Sequence, residues 1–134
     1  MRTMTTWTLG LLFFSTVFSS LAVANEVEVV KVRFELSGGA WNVRTTLRHA
    51  DSGWDHYADA WRVVNEKGDV LGSRILHHPH ESEQPFTRGL SSVVVPNGVS
   101  IVFVEAHDKV HGWSKQRVRV DLGNAKGERF EVHR

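Results

Sequence analysis

The fold of this chain is constrained most strongly by two neighbouring segments in which apolar and polar residues alternate. Residues 30–36 have the sequence VKVRFEL, residues 41–47 have the sequence WNVRTTL, and Gly38 and Gly39 lie between them. A period of two places successive side chains on opposite faces of an extended chain. Each segment is therefore predicted to be a β-strand with one buried face, and the glycines are predicted to turn the chain between them.

Turn sequences predict further strands. Asn65-Glu66-Lys67-Gly68-Asp69 and Pro96-Asn97-Gly98 each separate two apolar segments, which indicates two β-hairpins. Alternation returns in residues 117–122, and we expect residues 130–132 to pair with that strand. The segments flanking the first hairpin turn are 60–64 and 70–76, and those flanking the second are 92–95 and 99–106.

The pattern gives about seven or eight short strands and no helical segment longer than one turn. It predicts an all-β fold, an immunoglobulin-like antiparallel β-sandwich. Trp41 and Trp61 are expected to fill the core between the two sheets. Because the loops at one end of such folds often carry the function, residues that follow strand ends are the first candidates for a site.

Residues 1–24 have the features of a secretory signal peptide. Arg2 supplies a positive charge, residues 7–18 are mostly apolar, and Ala22-Val23-Ala24 is the small-residue pattern that signal peptidase recognises. We expect cleavage after Ala24, which leaves residues 25–134 as a single periplasmic or secreted β-sandwich domain. The alternative is a retained membrane anchor, but the apolar segment is short for one.

The composition excludes several classes of function. Without Arg2 the chain has 15 Lys and Arg against 15 Asp and Glu, so neither nucleic acid nor a membrane surface is an expected partner. A periplasmic protein is a possible partner. The chain has no cysteine, which excludes disulfides, thiolate metal ligands, a cysteine nucleophile and a lipid-modified cysteine. It also lacks the Gly-x-Ser-x-Gly turn of serine hydrolases.

The eight histidines are unevenly distributed, and seven of them fall in three short stretches. Each stretch follows a predicted strand, and imidazole is the commonest metal ligand in proteins. The stretches therefore suggest a metal site, although each one alone is also compatible with solvated or backbone-bonded histidines. The stretches contain His49 and His56, then His77, His78 and His80, and finally His107 and His111.

Two of the histidine stretches resemble the iron-binding domain of the desulfoferrodoxin and superoxide reductase family. That family has a His-Pro loop leading to Glu-His-Tyr, then an aromatic strand, a glycine hairpin and a late Cys-Asn-x-His-Gly-x-Trp motif. The similarity extends from about Thr45 to Trp113. The corresponding elements here are His49, Asp55-His56-Tyr57, Trp61, Gly68-Asp69-Val70-Leu71-Gly72 and Asp108-Lys109-Val110-His111-Gly112-Trp113.

The resemblance implies an immunoglobulin-like sandwich with His49, His56 and His111 at metal-ligand positions. It also places Asp108 where the family has its axial cysteine thiolate, which removes the soft ligand that tunes iron for superoxide reduction. The loop between the first two histidines is one residue longer than in the family, and the family's N-terminal Glu-Lys-His segment has no counterpart. The same sandwich is found in the carrier-binding subunit of thiosulfate-oxidation complexes, which is not an enzyme.

Our leading hypothesis is an exported protein that binds one transition-metal ion, namely iron, copper or zinc. The ligands would be His49, His56 and His111, completed by Asp108 or by a histidine of the segment 77–80. His107 lies four residues before His111 and is a further candidate. Carboxylates expected to orient the imidazoles are Asp55, Glu81 and Glu83. The candidates from the segment 77–80 are His78 and His80.

Two metal-free alternatives follow from the same loops. Exposed aromatic side chains at Trp54, Tyr57 and Trp113 would form a recognition surface for a protein or a small ligand. A histidine–carboxylate pair such as His111 and Asp108 would serve acid–base catalysis if a substrate cleft were present.

Overall fold

The computed structural model describes residues 25–134, and the predicted signal peptide lies outside them. These residues form ten β-strands and no helix. Among them, no helix is long and apolar enough to cross a membrane. The strands are β1 (Glu28–Ser37), β2 (Ala40–Arg48), β3 (Ala58–Asn65), β4 (Val70–Ile75), β5 (Phe86–Val93), β6 (Ile101–Asp108), β7 (Gly112–Trp113), β8 (Val118–Asp121), β9 (Lys126–Gly127) and β10 (Phe130–His133).

The strands form two sheets, which confirms the predicted β-sandwich. One sheet has the order β5-β2-β1-β10-β9, and the other has the order β4-β3-β6-β7, with β8 also paired to β6. All neighbours are antiparallel except β1 and β10, which are parallel. The strand count exceeds the predicted seven or eight because β7 and β9 have only two residues each.

The core lies between the sheets and is built by the alternating residues. Val32, Phe34, Val43 and Leu47 are fully buried, while the polar residues between them on β1 and β2 are mostly exposed. Trp61 is fully buried, and Trp41 is nearly so. The Trp41 ring packs edge-on against Phe34 with 5.8 Å between ring centroids. The prediction that both tryptophans fill the core is therefore confirmed.

The first predicted hairpin forms between β3 and β4, where the Asn65 side chain accepts hydrogen bonds from the backbone of Lys67 and Asp69. The second is wrong, because β5 and β6 belong to different sheets. The Pro96 turn does form, with Val99 N–H donating to the Pro96 carbonyl at 3.1 Å. It lies within a connection that is long enough to pass from one sheet to the other.

The predicted pairing of residues 130–132 with the strand at 117–122 is also wrong. Strand β10 pairs with β1, with Val32 opposite Phe130, whereas β8 pairs with β6. The short strand β9 folds back on β10, and the Phe130 ring covers Gly127 so closely that no side chain could fit there. Glu128 and Arg129 connect β9 to β10, so the hairpin that forms is β9–β10 and not β8–β10.

The topology brings several connections together at one end of the sandwich. Glu28 at the start of β1 is opposite Arg48 at the end of β2, and Ala58 at the start of β3 is opposite Asp108 at the end of β6. The segment before β1, the loop between β2 and β3, and the turn after β6 therefore meet. We call this the histidine end of the sandwich, because it carries His49, His56 and His111.

Candidate metal centre

Three side chains from separate strand ends converge at the histidine end. His49, His56 and Asp108 each offer one ligand atom, and these atoms lie within 4.8 Å of one another. The His56 Nε2 atom is 3.3 Å from Asp108 Oδ1, and the His49 Nε2 atom is 4.0 Å from Asp108 Oδ2. Bonds of about 2.0–2.2 Å to one tetrahedral ion would separate its ligand atoms by roughly 3.3–3.6 Å. Small side-chain shifts would therefore give the spacing that a metal requires.

Both ring nitrogens of His49 face hydrogen-bond acceptors. The Nδ1 atom is 2.6 Å from Asp51 Oδ1, and the Nε2 atom is 2.8 Å from the backbone carbonyl of Asn25. The His49 side chain is 1% exposed. A neutral imidazole has only one N–H group, so it can satisfy only one of these acceptors. Both are satisfied if the ring is protonated or if a cation sits at Nε2.

Asp51 fixes the orientation of His49. Its side chain is fully buried, and besides facing His49 it accepts hydrogen bonds from the backbone N–H groups of Ala58 and His80, at 3.0 and 2.8 Å. The Gln84 side chain also holds this arrangement, since it accepts a hydrogen bond from the backbone N–H of His49 and donates one to the backbone carbonyl of His80. Carboxylates in this position commonly orient metal-binding imidazoles.

Asp108 supports the turn with one carboxylate oxygen and turns the other toward the imidazoles. Its Oδ1 atom accepts hydrogen bonds from the backbone N–H groups of Val110 and His111, at 2.9 and 2.7 Å, and so caps the turn after β6. Burial alone would raise the pKa of this carboxyl, but those N–H groups and the imidazoles of His111 and His49 outweigh burial and lower it. The side chain is therefore an anion, and Oδ2 accepts no backbone bond.

His56 and His111 lie at the solvent side of the cluster. The Nε2 atom of His56 is buried and has no hydrogen-bond partner among the described residues, although the whole side chain is 22% exposed. The His111 Nδ1 atom is 3.1 and 3.3 Å from the two oxygens of Asp108, and its side chain is 29% exposed. The rings of His56 and His111 are 5.1 Å apart. His111 is thus beside the three converging ligand atoms rather than one of them.

The remaining histidine candidates do not join this cluster. His78 is exposed, and His80 is buried with its ring stacked 4.1 Å from the Phe86 ring. The rings of His78 and His80 lie 4.5 Å apart. His107 instead forms a short hydrogen bond with the Asp59 carboxylate.

The orienting carboxylates differ from the expected ones. Asp55 and Glu81 are exposed, and Glu83 pairs with Arg88 at 3.0 Å. Asp51 takes that role for His49. The sequence signal that could have identified it is the two-residue spacing from His49, but a spacing alone does not distinguish Asp51 from the other carboxylates of the loop.

The charge at this end is unusual for a protein interior. The buried carboxylates of Asp51 and Asp108 have imidazoles nearby, and no Lys or Arg between residues 25 and 134 forms a salt bridge with either. Buried anions are stable only when they are paired or hydrogen-bonded, or when they coordinate a metal. Both carboxylates accept backbone hydrogen bonds, and a divalent cation between His49, His56 and Asp108 would add a positive charge and a partner for the His56 Nε2 atom.

Comparison with known proteins identifies a relative of this chain. It is a protein of Halomicrobium mukohataei with the name "Putative lipoprotein", and it is 44% identical over 97 residues. The aligned region is 72% of this chain and 47% of the relative, so this chain matches about half the length of that protein. No family model matches the sequence. No solved structure matches it either.

The pH dependence of stability provides a test of the environment of His80. Burial of the ring lowers the pKa of His80 below 6.5, Arg88 and His78 act in the same direction, and Asp51 and Glu83 oppose them. Because the unfolded chain takes up this proton more readily, stability is lost as the pH falls below about 6.5. The substitution His80→Phe removes two ring nitrogens that have no hydrogen-bond partner within the described part of the chain, and we expect this variant to lose less stability than the wild type between pH 7.5 and 5.5. Urea unfolding at both pH values measures this difference.

The matched control is His77→Gln, which removes an exposed imidazole from the same segment. This variant should keep the wild-type dependence on pH. Equal pH dependence in His80→Phe and the wild type would contradict the interpretation.

Proposed function

We propose that this protein is an exported β-sandwich domain that binds one transition-metal ion through His49, His56 and Asp108, with His111 close enough to complete the set. The observation that carries the proposal is the convergence of three potential ligand atoms within 4.8 Å, from connections far apart in the sequence. The orphaned His56 Nε2 atom is the second support, because a metal would give it a partner.

The donor set limits the choice of metal. Two or three imidazoles and one carboxylate suit iron(II), zinc or copper(II), whereas calcium and magnesium prefer oxygen ligands. The partial exposure of His56 and His111 leaves one side of the ion accessible. A bound ion could therefore exchange, or could take water or a small molecule as a further ligand. This favours metal handling or a redox role over a closed structural site.

The proposed export rests on two sequence observations. One is the predicted signal peptide, and the other is the similarity to a protein whose name is that of a lipoprotein. Similarity to the desulfoferrodoxin domain supports the ligand positions of His49, His56 and His111. We do not extend it to superoxide reduction, since Asp108 stands in place of the thiolate.

Metal analysis of the exported protein tests the proposal. The full chain is produced with its own N-terminal segment and purified without a histidine tag or chelating resin. We expect about one equivalent of a transition metal in the wild type and a strongly reduced content in the double variant His49→Ala/His56→Ala. The control is His77→Ala/His78→Ala, which removes two exposed histidines and should keep the metal.

The double variant could lose its metal because it fails to fold, since His49 is buried. His56→Gln avoids this difficulty, since the His56 ring is partly exposed and its Nε2 atom makes no hydrogen bond with any residue of 25–134. It should keep the wild-type melting temperature in the presence of a chelator and should bind zinc more weakly. The proposal fails if the wild type binds neither iron(II), zinc nor copper(II) on titration.

A metal-free recognition surface is a second candidate, and one observation favours it. Trp54 is 63% exposed at the tip of the loop between β2 and β3, close to the cluster. The expectation that Tyr57 is also exposed is wrong, because it is 7% exposed and packs edge-on against Trp54. Trp113 is partly covered by the guanidinium of Arg62, 3.7 Å from its ring. Binding of a partner that is lost in Trp54→Ala and unaffected by chelator would support this candidate.

A further inference from the structure

The segment before β1 is held against the histidine end. Val27 and Val29 are buried in the core, and the Gln116 side chain accepts a hydrogen bond from Val29 N–H and donates one to the Val29 carbonyl, at 2.8 and 3.0 Å. The Glu26 carboxylate accepts a hydrogen bond from the backbone N–H of Lys115. These contacts fix the path of residues 26–29, the segment that follows Asn25.

Asn25 reaches the proposed metal ligands directly. Its backbone carbonyl is 2.8 Å from His49 Nε2, which is the nitrogen that faces Asp108 Oδ2. The residue as a whole is exposed to solvent, whereas the His49 ring is buried. Asn25 therefore presents its backbone to the one nitrogen of His49 that is available to a metal.

We propose that signal-peptide removal creates a metal ligand, because cleavage after Ala24 gives a free α-amino group to Asn25, the residue whose carbonyl oxygen lies 2.8 Å from His49 Nε2. This inference rests on the metal site proposed above. A neutral amine nitrogen and the carbonyl oxygen of the same residue can bind one ion together in a five-membered ring. Metal binding displaces the proton of such an amine, as it does at other protonated ligands. The precursor has an amide nitrogen at this position, so the complete site exists only after export and cleavage.

Three forms of the protein test the inference. The first begins at Asn25, the second keeps Ala24 and so moves the amine away by one residue, about 3.8 Å, and the third begins at Asn25 and carries His49→Ala. Residues 25–134 include both sheets and the whole described core, so each form contains all of the described sandwich. Copper(II) affinity is measured by competition with a chelator, and the N-terminus of the exported protein is determined by mass spectrometry.

We expect the form beginning at Asn25 to bind copper(II) at least about tenfold more tightly than the form that keeps Ala24. Removal of a residue that only orients a ligand lowers metal affinity by about tenfold or more, and loss of a direct ligand should cost at least as much. Copper should also slow acetylation of the α-amino group in the first form, with the lysines as internal controls, and should not do so in the His49→Ala form.

The outcomes separate the two proposals. Equal affinity with and without Ala24, or no protection of the amine, overturns this inference and leaves the metal site of His49, His56 and Asp108 intact. An exported protein that begins at another residue also overturns it. Failure of every form to bind copper, zinc or iron overturns the proposed function itself.

Discussion

Zinc at about 100 times its dissociation constant is expected to stabilise the wild-type protein by about 2.7 kcal/mol, and Asp108→Asn is expected to abolish this response. For a domain of this size the stabilisation corresponds to a rise in melting temperature of roughly 10 °C. The response is lost because the asparagine amide is neutral and a weaker ligand for the ion than a carboxylate. Its oxygen can still accept the N–H groups of Val110 and His111, so the turn after β6 is kept.

The chain offers a matched control for Asp108→Asn. Asp121 caps another turn, where its Oδ1 atom accepts a hydrogen bond from Gly123 N–H at 2.9 Å, but it has no role in the histidine cluster. Asp121→Asn should therefore respond to zinc as the wild type does. Thermal unfolding followed by circular dichroism, with and without zinc, measures all three proteins. An equal rise in Asp108→Asn and the wild type would exclude Asp108 as a ligand.

The largest loss of stability at the histidine end is expected for Asp51→Ala. The substitution leaves the buried N–H groups of Ala58 and His80 without an acceptor and frees the His49 ring. Each unsatisfied buried group costs about 1–3 kcal/mol, so the two N–H groups give an expected loss of about 2–6 kcal/mol. That is a large part of the roughly 5–15 kcal/mol that stabilises an ordinary domain. Urea unfolding in the presence of a chelator measures the effect without any contribution from metal.

Asp55→Ala is the control for this prediction, because Asp55 is an exposed carboxylate of the same loop. Its stability should lie within about 0.5 kcal/mol of the wild type, as is usual for surface substitutions. A loss below about 1 kcal/mol in Asp51→Ala would show that the free-energy cost of burying the carboxylate cancels the stabilisation from its hydrogen bonds. In that case Asp51 would not be the residue that fixes the orientation of His49.

The strands could be predicted from the sequence because each depends on local alternation. The segments around Phe34 and Val43 show the period of two clearly, and they pair across a tight turn. The partners of β5 and β10 could not be predicted in the same way. Their pairings, such as Leu47 with Phe86 and Val32 with Phe130, join residues distant in sequence and depend on how the two sheets pack.

The candidate site could likewise be predicted from the sequence only in part. The residue types of His49, His56 and Asp108 suggested metal chemistry, but their convergence follows from the pairing of Ala58 with Asp108 across β3 and β6. The approach of Asn25 to His49 had no sequence signal at all, since a backbone carbonyl can belong to any residue. Asp51 was visible in the sequence, but burial alone distinguishes it from Asp55.

Because β1 and β10 are parallel neighbours, Asn25 and Arg134 lie at opposite ends of the sandwich. Strand β1 begins at the histidine end, and β10 runs alongside it with Glu35 opposite His133. At about 3.3 Å per residue, the ten residues of β1 cover roughly 30 Å. A fluorescent label, surface linker or affinity handle fused after Arg134 would thus lie about a strand length from His49, His56 and His111, whereas the same fusion before Asn25 would lie directly against His49.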